Sequence, residues 1–473
     1  MEEPERPLRL DAPREEALEH AAKLVAEAWR SFDRPRPEEP PLDERVRRLL
    51  ETALPREPVP VHEALEDAAR ALDESIAQPR PRYFAFIGSS GLEIGALGDL
   101  MAATYDMNLA VDARAATLLE QQAVQWVGAF VGYPAAHGAF TSGGTISNMT
   151  AIAAARERAL PGSRIAGLGG TDVAVYASSE VHYSITRAVE ILGIGSERLR
   201  DIPIDEHHRM RADLLAAAID RDVAAGVTPV AVVATAGTTL TGAVDPVASI
   251  AEVCAERGVW LHVDGAYGLP AAAVDPERFA GVDRADSVSV DAHKWLYVPK
   301  ACSVVLVRER EALSKAFAHE QGYLPHQRHE LHAVDITLEY SRPLRALKLW
   351  LAFRAHGADQ FREAIRRNLS EARLLHHVAA ARDDFETFRS PPDLSIVPLR
   401  HVPPGVEDLD AHNEALADAI QADGRVYLAS ALIEDQVWLR PCFVNYRTTD
   451  DDVLAVLDVA AALGERLAAE RSR

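Results

Sequence analysis

Between residues 173 and 307 the sequence passes five times through a short, strongly apolar run, at 173–177, 230–235, 259–263, 287–290 and 303–307. Patterns with helical spacing stand among them, near 146–158, 183–192, 210–224 and 246–256. This alternation constrains the fold more than any other feature. Parallel strands need long crossovers, which helices supply, and a sheet covered on both faces has continuous apolar strands. The expected core is therefore a mostly parallel sheet of the α/β class with helices on both sides. In such sheets ligands bind beyond the carboxyl ends of the strands. The polar residues that close each run are where chemistry is expected.

The chain has 473 residues, more than one hydrophobic core holds. Before residue 80 the spacing predicts three amphipathic helices, over 13–32, 42–54 and 60–77, broken by "RPRPEEPP". From about residue 340 helical patterns give way to the strand-like "LSIVPLR", "RVYLASALI" and "QVWLRPCFV", and then to a helical tail from Asp450. The expected division is a helical arm over 1–79, a large α/β domain over 80–339 and a small α+β domain over 340–473. Hydrophobic residues at 48% and charged residues at 26% describe a soluble globular chain. A formal charge of −22 argues against nucleic acid or an anionic membrane as a main partner. No apolar run reaches membrane-spanning length, and the acidic "MEEPERPLRLDAPREE" does not resemble a signal peptide. Cys254, Cys302 and Cys442 are far apart and form no metal spacing or disulfide framework. A cytoplasmic protein without a metal is expected.

Four clusters fall at predicted strand ends or helix starts. "FTSGGTISN" places Gly143 and Gly144 before a helix, where free backbone N–H groups and the helix dipole favour an anion. Thr145, Ser147 and Asn148 follow with polar side chains. "LHVDGAYG" ends a run in Asp264, with small Ala266 close behind. "SSEVHYSITRAVE" sets His182 after another, and "VDAHKWL" puts Asp291, His293 and Lys294 after a third. Singly, each has an ordinary explanation: a helix cap, a turn carboxylate, a packed histidine, a solvated lysine. Together they suit pyridoxal phosphate. That cofactor needs an anion cradle, a flat stacking partner, a carboxylate beside its ring nitrogen and an amine for its aldehyde. A dinucleotide reading of "AGLGGTD", 166–172, fails because the glycines precede a strand. A metal reading of "EHHRM", 206–210, is weak, since adjacent histidines rarely converge on one ion.

These motifs, with "RPRYFAFI", "ATAGTTLTGAVDP" and "SRPLRALKLW", resemble the group II pyridoxal-phosphate-dependent amino acid decarboxylases, which include the aromatic amino acid, glutamate and histidine enzymes. The resemblance covers most of the chain. It implies the aspartate-aminotransferase type of fold, with Lys294 as the Schiff-base lysine on the path to a quinonoid intermediate. It places Asp264 at the ring nitrogen, His182 on one ring face and Ala266 on the other. It gives the phosphate to His293 and the 143–148 loop, and puts Thr239 beside the cofactor. It further implies a homodimer, clasped by the N-terminal arm, with active sites shared between subunits. Isolated amphipathic helices need such a surface.

The expected reaction is decarboxylation of an L-amino acid to its amine and carbon dioxide. Phe84 and Phe86 would line the substrate site, with Asn108 and Leu109 contributed by the partner subunit, which favours an aromatic or apolar substrate. One departure bears on the product. Members of this group carry a proton-donating tyrosine on a loop before "SRPLRALKLW", and the corresponding place here falls near His332 and Ala333. His332 or Tyr323 is the candidate donor, since histidine donates protons near neutral pH. Without a donor the same scaffold would give an aldehyde in an oxygen-dependent reaction, which is the second reading. A non-catalytic relative is disfavoured by the intact Lys294, Asp264 and His182.

Overall fold

The computed structural model describes residues 8, 10–36, 38, 42–110, 112–133, 136–319, 333–389 and 391–471. Its larger sheet has seven strands: β1 His137–Thr141, β2 Val173–Ser178, β3 Leu199–Ile202, β4 Thr228–Thr235, β5 Trp260–Asp264, β6 Ser287–Val290 and β7 Ser303–Val307. They are ordered β1-β7-β6-β5-β4-β2-β3. Pairing is parallel from β3 through β2, β4 and β5 to β6, whereas β7 runs antiparallel to both β6 and β1. Every residue of β2, β5, β6 and β7 is buried. That double-sided cover is why these strands are continuous apolar runs.

The five expected strands and the four helices among them form within a few residues of their predicted limits. Two strands carried too little signal to be foreseen. β1, "HGAFT", holds Gly138, where a Cβ would lie 2.0 Å from the Val305 carbonyl oxygen of β7. The glycine that weakens its strand pattern is what lets the neighbouring backbone approach. β3, "LRDI", is a short edge strand with polar residues.

The C-terminal part is a second, antiparallel sheet of β8 Phe385–Thr387, β9 Leu399–His401, β10 Ser430–Ile433 and β11 Gln436–Leu439, ordered β10-β11-β9-β8. The helices Leu409–Asp423 and Asp450–Arg471 pack with it. The long helix Ala346–Ala380 breaks its geometry at Gly357 (φ 72°), where the sequence pattern also ends one helix and starts another. Residues 82–84 hydrogen-bond into this part: the Phe84 N–H donates to Tyr427 O at 2.7 Å, and the Cys442 N–H donates to Phe84 O at 3.0 Å. At the other end of the chain, the helices Arg14–Phe32 and Val61–Asp73 have no buried residue within the single subunit.

The parallel register positions the site. Thr235, Asp264 and Ser289 lie side by side across β4, β5 and β6. Because β7 is reversed, its first residue, Ser303, pairs with the last residue of β1, Thr141. The segments after β1 and β6 and before β7 thus meet at one edge of the sheet.

Candidate active site

A cavity of about 320 Å³ opens at that edge. Its lining brings together Gly143, Gly144, Thr145, Asn148, His182, Thr239, Asp264, Ala266, Asp291, His293 and Lys294, residues separated by up to 151 positions (143 to 294). Of the residues expected to hold a cofactor, Ser147 alone does not line it. Its fully buried hydroxyl is 2.7 Å from Thr141 Oγ1 and 2.8 Å from Ser303 Oγ, so it ties the end of β1 to the start of β7 behind the cavity.

Each polar side chain is held by its own local cause. Asp264 ends β5, and its carboxylate accepts from Asn148 Nδ2 at 2.8 Å, the Ala266 N–H at 3.1 Å and Ser289 Oγ at 3.2 Å. His182 precedes the helix Tyr183–Ile191 and caps it, its Nδ1 accepting from the Ser184 N–H at 3.2 Å. Burial holds the His182 imidazole below its usual pKa, with Asp264 opposing the shift. Lys294 Nζ lies 3.1 Å from Asp291 Oδ2, and His293 Nε2 lies 3.7 Å from the same oxygen. Burial likewise lowers the pKa of His293 despite that carboxylate. Gly144 opens the helix Gly144–Ala159, and a Cβ there would stand 2.9 Å from Asp291 Oδ2 and 3.1 Å from the Ala266 Cβ. Nothing larger than hydrogen fits on that side of the loop.

The expected substrate-lining residues are elsewhere in the subunit. Phe84 is 1% exposed and packs in the C-terminal core, its ring centroid 4.9 Å from that of Phe443, because the 82–84 segment is paired with Tyr427 and Cys442. Phe86 is largely exposed and is not part of the cavity wall. Asn108 is also exposed; its Nδ2 donates to Ser341 Oγ at 3.2 Å. The candidate proton donors His332 and Tyr323 lie outside the described residues. Sequence reasoning did not single out Ser184, Thr235, Tyr267 or Lys300, which line the cavity. Thr235 could have been found, since it ends a predicted strand. Lys300 sits in "VPKACS" with no pattern to mark it; its Nζ donates to Gln78 Oε1 at 2.6 Å, and burial together with Lys294 lowers its pKa.

The donor set fits pyridoxal phosphate. Asp291 Oδ1 and Thr235 Oγ1 are buried without a hydrogen-bond partner among the described residues, both in the cavity wall. Gly144 leaves a cradle that a side chain would fill. An amine, a carboxylate with three donors and a neutral imidazole complete the set. The described residues contain no group of three or more potential ligands that could hold a metal ion.

Fold and cavity together define a pyridoxal-phosphate enzyme of the aspartate-aminotransferase fold type. Residues 43–400 match the pyridoxal-dependent decarboxylase conserved domain, and the chain belongs to that family. It is an enzyme of the carboxy-lyase type with pyridoxal phosphate as cofactor. An aromatic-L-amino-acid decarboxylase of Bacillus atrophaeus is 32% identical over 399 residues, 82% of each chain. A phenylacetaldehyde synthase of Petunia hybrida is 28% identical, over 84% of this chain and 83% of its own. The crystal structure of Catharanthus roseus tryptophan decarboxylase in complex with L-tryptophan superposes with a TM-score of 0.85 at 26% identity, covering 98% of this chain and 100% of that one.

Proposed function

We propose that the protein converts an aromatic or apolar L-amino acid to its amine and carbon dioxide, and that it does so as a homodimer with active sites at the subunit interface. The observation that carries the reaction is the meeting of Lys294, Asp264 and His182 in one cavity behind a glycine cradle. When bound, pyridoxal phosphate supplies an aldehyde that captures amines and a ring that accepts electrons. Gly143, Gly144, Thr145 and His293 would hold its phosphate, Lys294 its aldehyde carbon, Asp264 its ring nitrogen, and His182 and Ala266 its two faces. Lys294 is the amine that would meet the aldehyde carbon, and its Nζ is held 3.1 Å from Asp291 Oδ2. Asp264 keeps the ring nitrogen protonated, because an opposite charge favours the charged form. The neutral imidazole of His182 stacks without adding a competing charge.

The likeness to the Bacillus atrophaeus aromatic-L-amino-acid decarboxylase supports an aromatic substrate. The likeness to a phenylacetaldehyde synthase supports the second reading, an oxygen-dependent reaction ending in an aldehyde. The test is incubation of the holoenzyme with each natural L-amino acid under air, assaying amine, aldehyde, carbon dioxide and peroxide. Amine and carbon dioxide in equal amounts from an aromatic or apolar amino acid are expected. Equal amounts of aldehyde and peroxide would put the second reading in its place.

A further inference from the structure

Behind Asp264, away from the cavity, the sheet carries polar groups that the reaction above does not use. Side chains alternate along a strand, so His262 and Asp264 share one face of β5. Their cross-strand partners on β6 are Ser287 and Ser289 respectively. Ser289 donates to Asp264; Ser287 serves His262 in the corresponding place. His262, Ser287 and Ser289 are all fully buried. A sheet interior holds such groups only when every one of them is paired.

The pairing has one consistent solution. Asp264 is a carboxylate that only accepts, and Asn148 contacts it at 2.8 Å, so the amide must turn its NH₂ toward Asp264 and Ser184 Oγ (2.9 Å). Asn148 Oδ1 then faces His262 Nε2 at 3.0 Å and accepts from it. With its proton on Nε2, His262 accepts at Nδ1 from the Ser287 hydroxyl at 2.9 Å. The Ser287 hydroxyl proton is free for that bond because Trp260 Nε1, a donor only, supplies the other contact to Ser287 Oγ at 2.9 Å. Burial pushes the His262 pKa down to about 4, so the ring keeps this single-proton state at neutral pH. Every donor from Trp260 to Asp264 points one way.

We propose that His262 is a positioning residue that acts through Asn148: it holds the Asn148 amide in the orientation that aims the Asp264 carboxylate at the cofactor's ring nitrogen. The inference rests on the reading that Asp264 faces that nitrogen. Removing the Nε2 donor frees the amide to turn its carbonyl toward Asp264. Two acceptors then face each other, and the carboxylate rotates or takes up a proton. Either change weakens its hold on the ring proton.

The test uses holoenzyme carrying pyridoxal phosphate with an isotope-labelled ring nitrogen, whose NMR shift reports protonation. In His262→Leu the resonance should move toward the unprotonated position. Its kcat should fall roughly ten- to a hundredfold, the range in which supporting hydrogen bonds behind a functional ligand act, with KM within about threefold. His262→Gln, which retains an N–H donor, should restore most of both. Asn148→Leu should act like His262→Leu, and the double variant should be little worse than either, since both remove one relay. A wild-type resonance in His262→Leu, or losses that multiply in the double variant, would overturn the proposal. If His262→Leu does not fold, a wild-type resonance in Asn148→Leu overturns it instead. Asp264→Asn separates the two levels. An unchanged resonance there removes the Asp264 reading and the relay with it, whereas a changed resonance there beside a wild-type one in His262→Leu removes the relay alone.

Discussion

Asp264 shows what single residues disclose and what they conceal. Its place after an apolar run pointed to a strand-end carboxylate, and the structure puts it at the end of β5 in the cavity wall. The same rule located His182, Asp291, His293 and Lys294, because parallel sheets gather their strand ends on one edge. The rule reads position along the chain and not the direction of a side chain. Ser147 and Asn148 are neighbours on one helix, yet the first is turned behind β1 while the second reaches Asp264. Phe84, expected at the substrate site from the family resemblance, packs instead in a separate core, drawn there by pairing with Tyr427 and Cys442 that no local pattern reveals. His262 carries no local signal in the sequence, since its partners lie 25 and 114 positions away. At this scale the clearest expectation concerns charge. Asp264→Asn keeps the shape and removes the negative charge beside the ring nitrogen. Turnover should fall by about 10² to 10³, as when one preorganised electrostatic contact is removed from a water-excluded site. Steady-state kinetics on the reconstituted variant checks this, and near-normal turnover would reduce the aspartate to a turn cap.

Elements were legible where burial was complete and obscure where it was not. β2, β4, β5, β6 and β7 announced themselves by unbroken apolar runs, while the glycine of β1, the polar edge of β3 and the three-residue strand β8 did not. One junction between elements carries a pH dependence. His208, in the loop before the helix Ala212–Ala224, places Nδ1 3.2 Å from Glu180 Oε1 and Nε2 3.3 Å from Glu434 Oε1, at the turn between β10 and β11. Glu434 is also paired with Arg389, which leaves His208 between two carboxylates and near one cation. The hydrogen bond to Glu180 raises the His208 pKa, against the opposing effect of burial. A group with a folded pKa above its unfolded value of about 6.5 binds more protons when folded. Its stabilising contribution is complete below about 6.5 and is lost as pH rises through the folded pKa. The urea midpoint should therefore fall across that window, and His208→Gln should flatten the dependence. An identical slope in the variant would place the titrating group elsewhere.

For the whole molecule, the family resemblance implied an arm and a shared site, and the proposed dimer would draw on apolar surface that the single subunit leaves uncovered. The helices Arg14–Phe32 and Val61–Asp73 have no fully buried residue, and the helix Glu93–Tyr105 presents Leu97, Leu100, Met101 and Tyr105 to the outside. Such apolar surface is what the proposed dimer would cover. Sedimentation of the holoenzyme should find two chains per particle, and Leu100→Arg with Met101→Glu should give a monomer with no measurable turnover; an active monomer would refute the shared site. The product is decided by the proton that replaces carbon dioxide, and the donors proposed for it are His332 and Tyr323, which lie outside the described residues. Burial lowers the pKa of both His182 and His293, which makes each a poorer proton carrier at neutral pH. General acids contribute about 10² to 10⁴ in rate, enough to outrun oxygen at the carbon that has lost its carboxylate. With the donor, the amino acid and one proton give amine and carbon dioxide. Without it, oxygen and water are consumed, and aldehyde, ammonia, peroxide and carbon dioxide leave. Histidine, with a pKa near about 6.5, is partly protonated at neutral pH and suits the task. His332→Phe should therefore raise the aldehyde-to-amine ratio severalfold under air and leave carbon dioxide release nearly unchanged, because the carboxylate departs before the donor acts. The same ratio in the variant as in the wild type would remove His332 and leave Tyr323 as the residue to replace next.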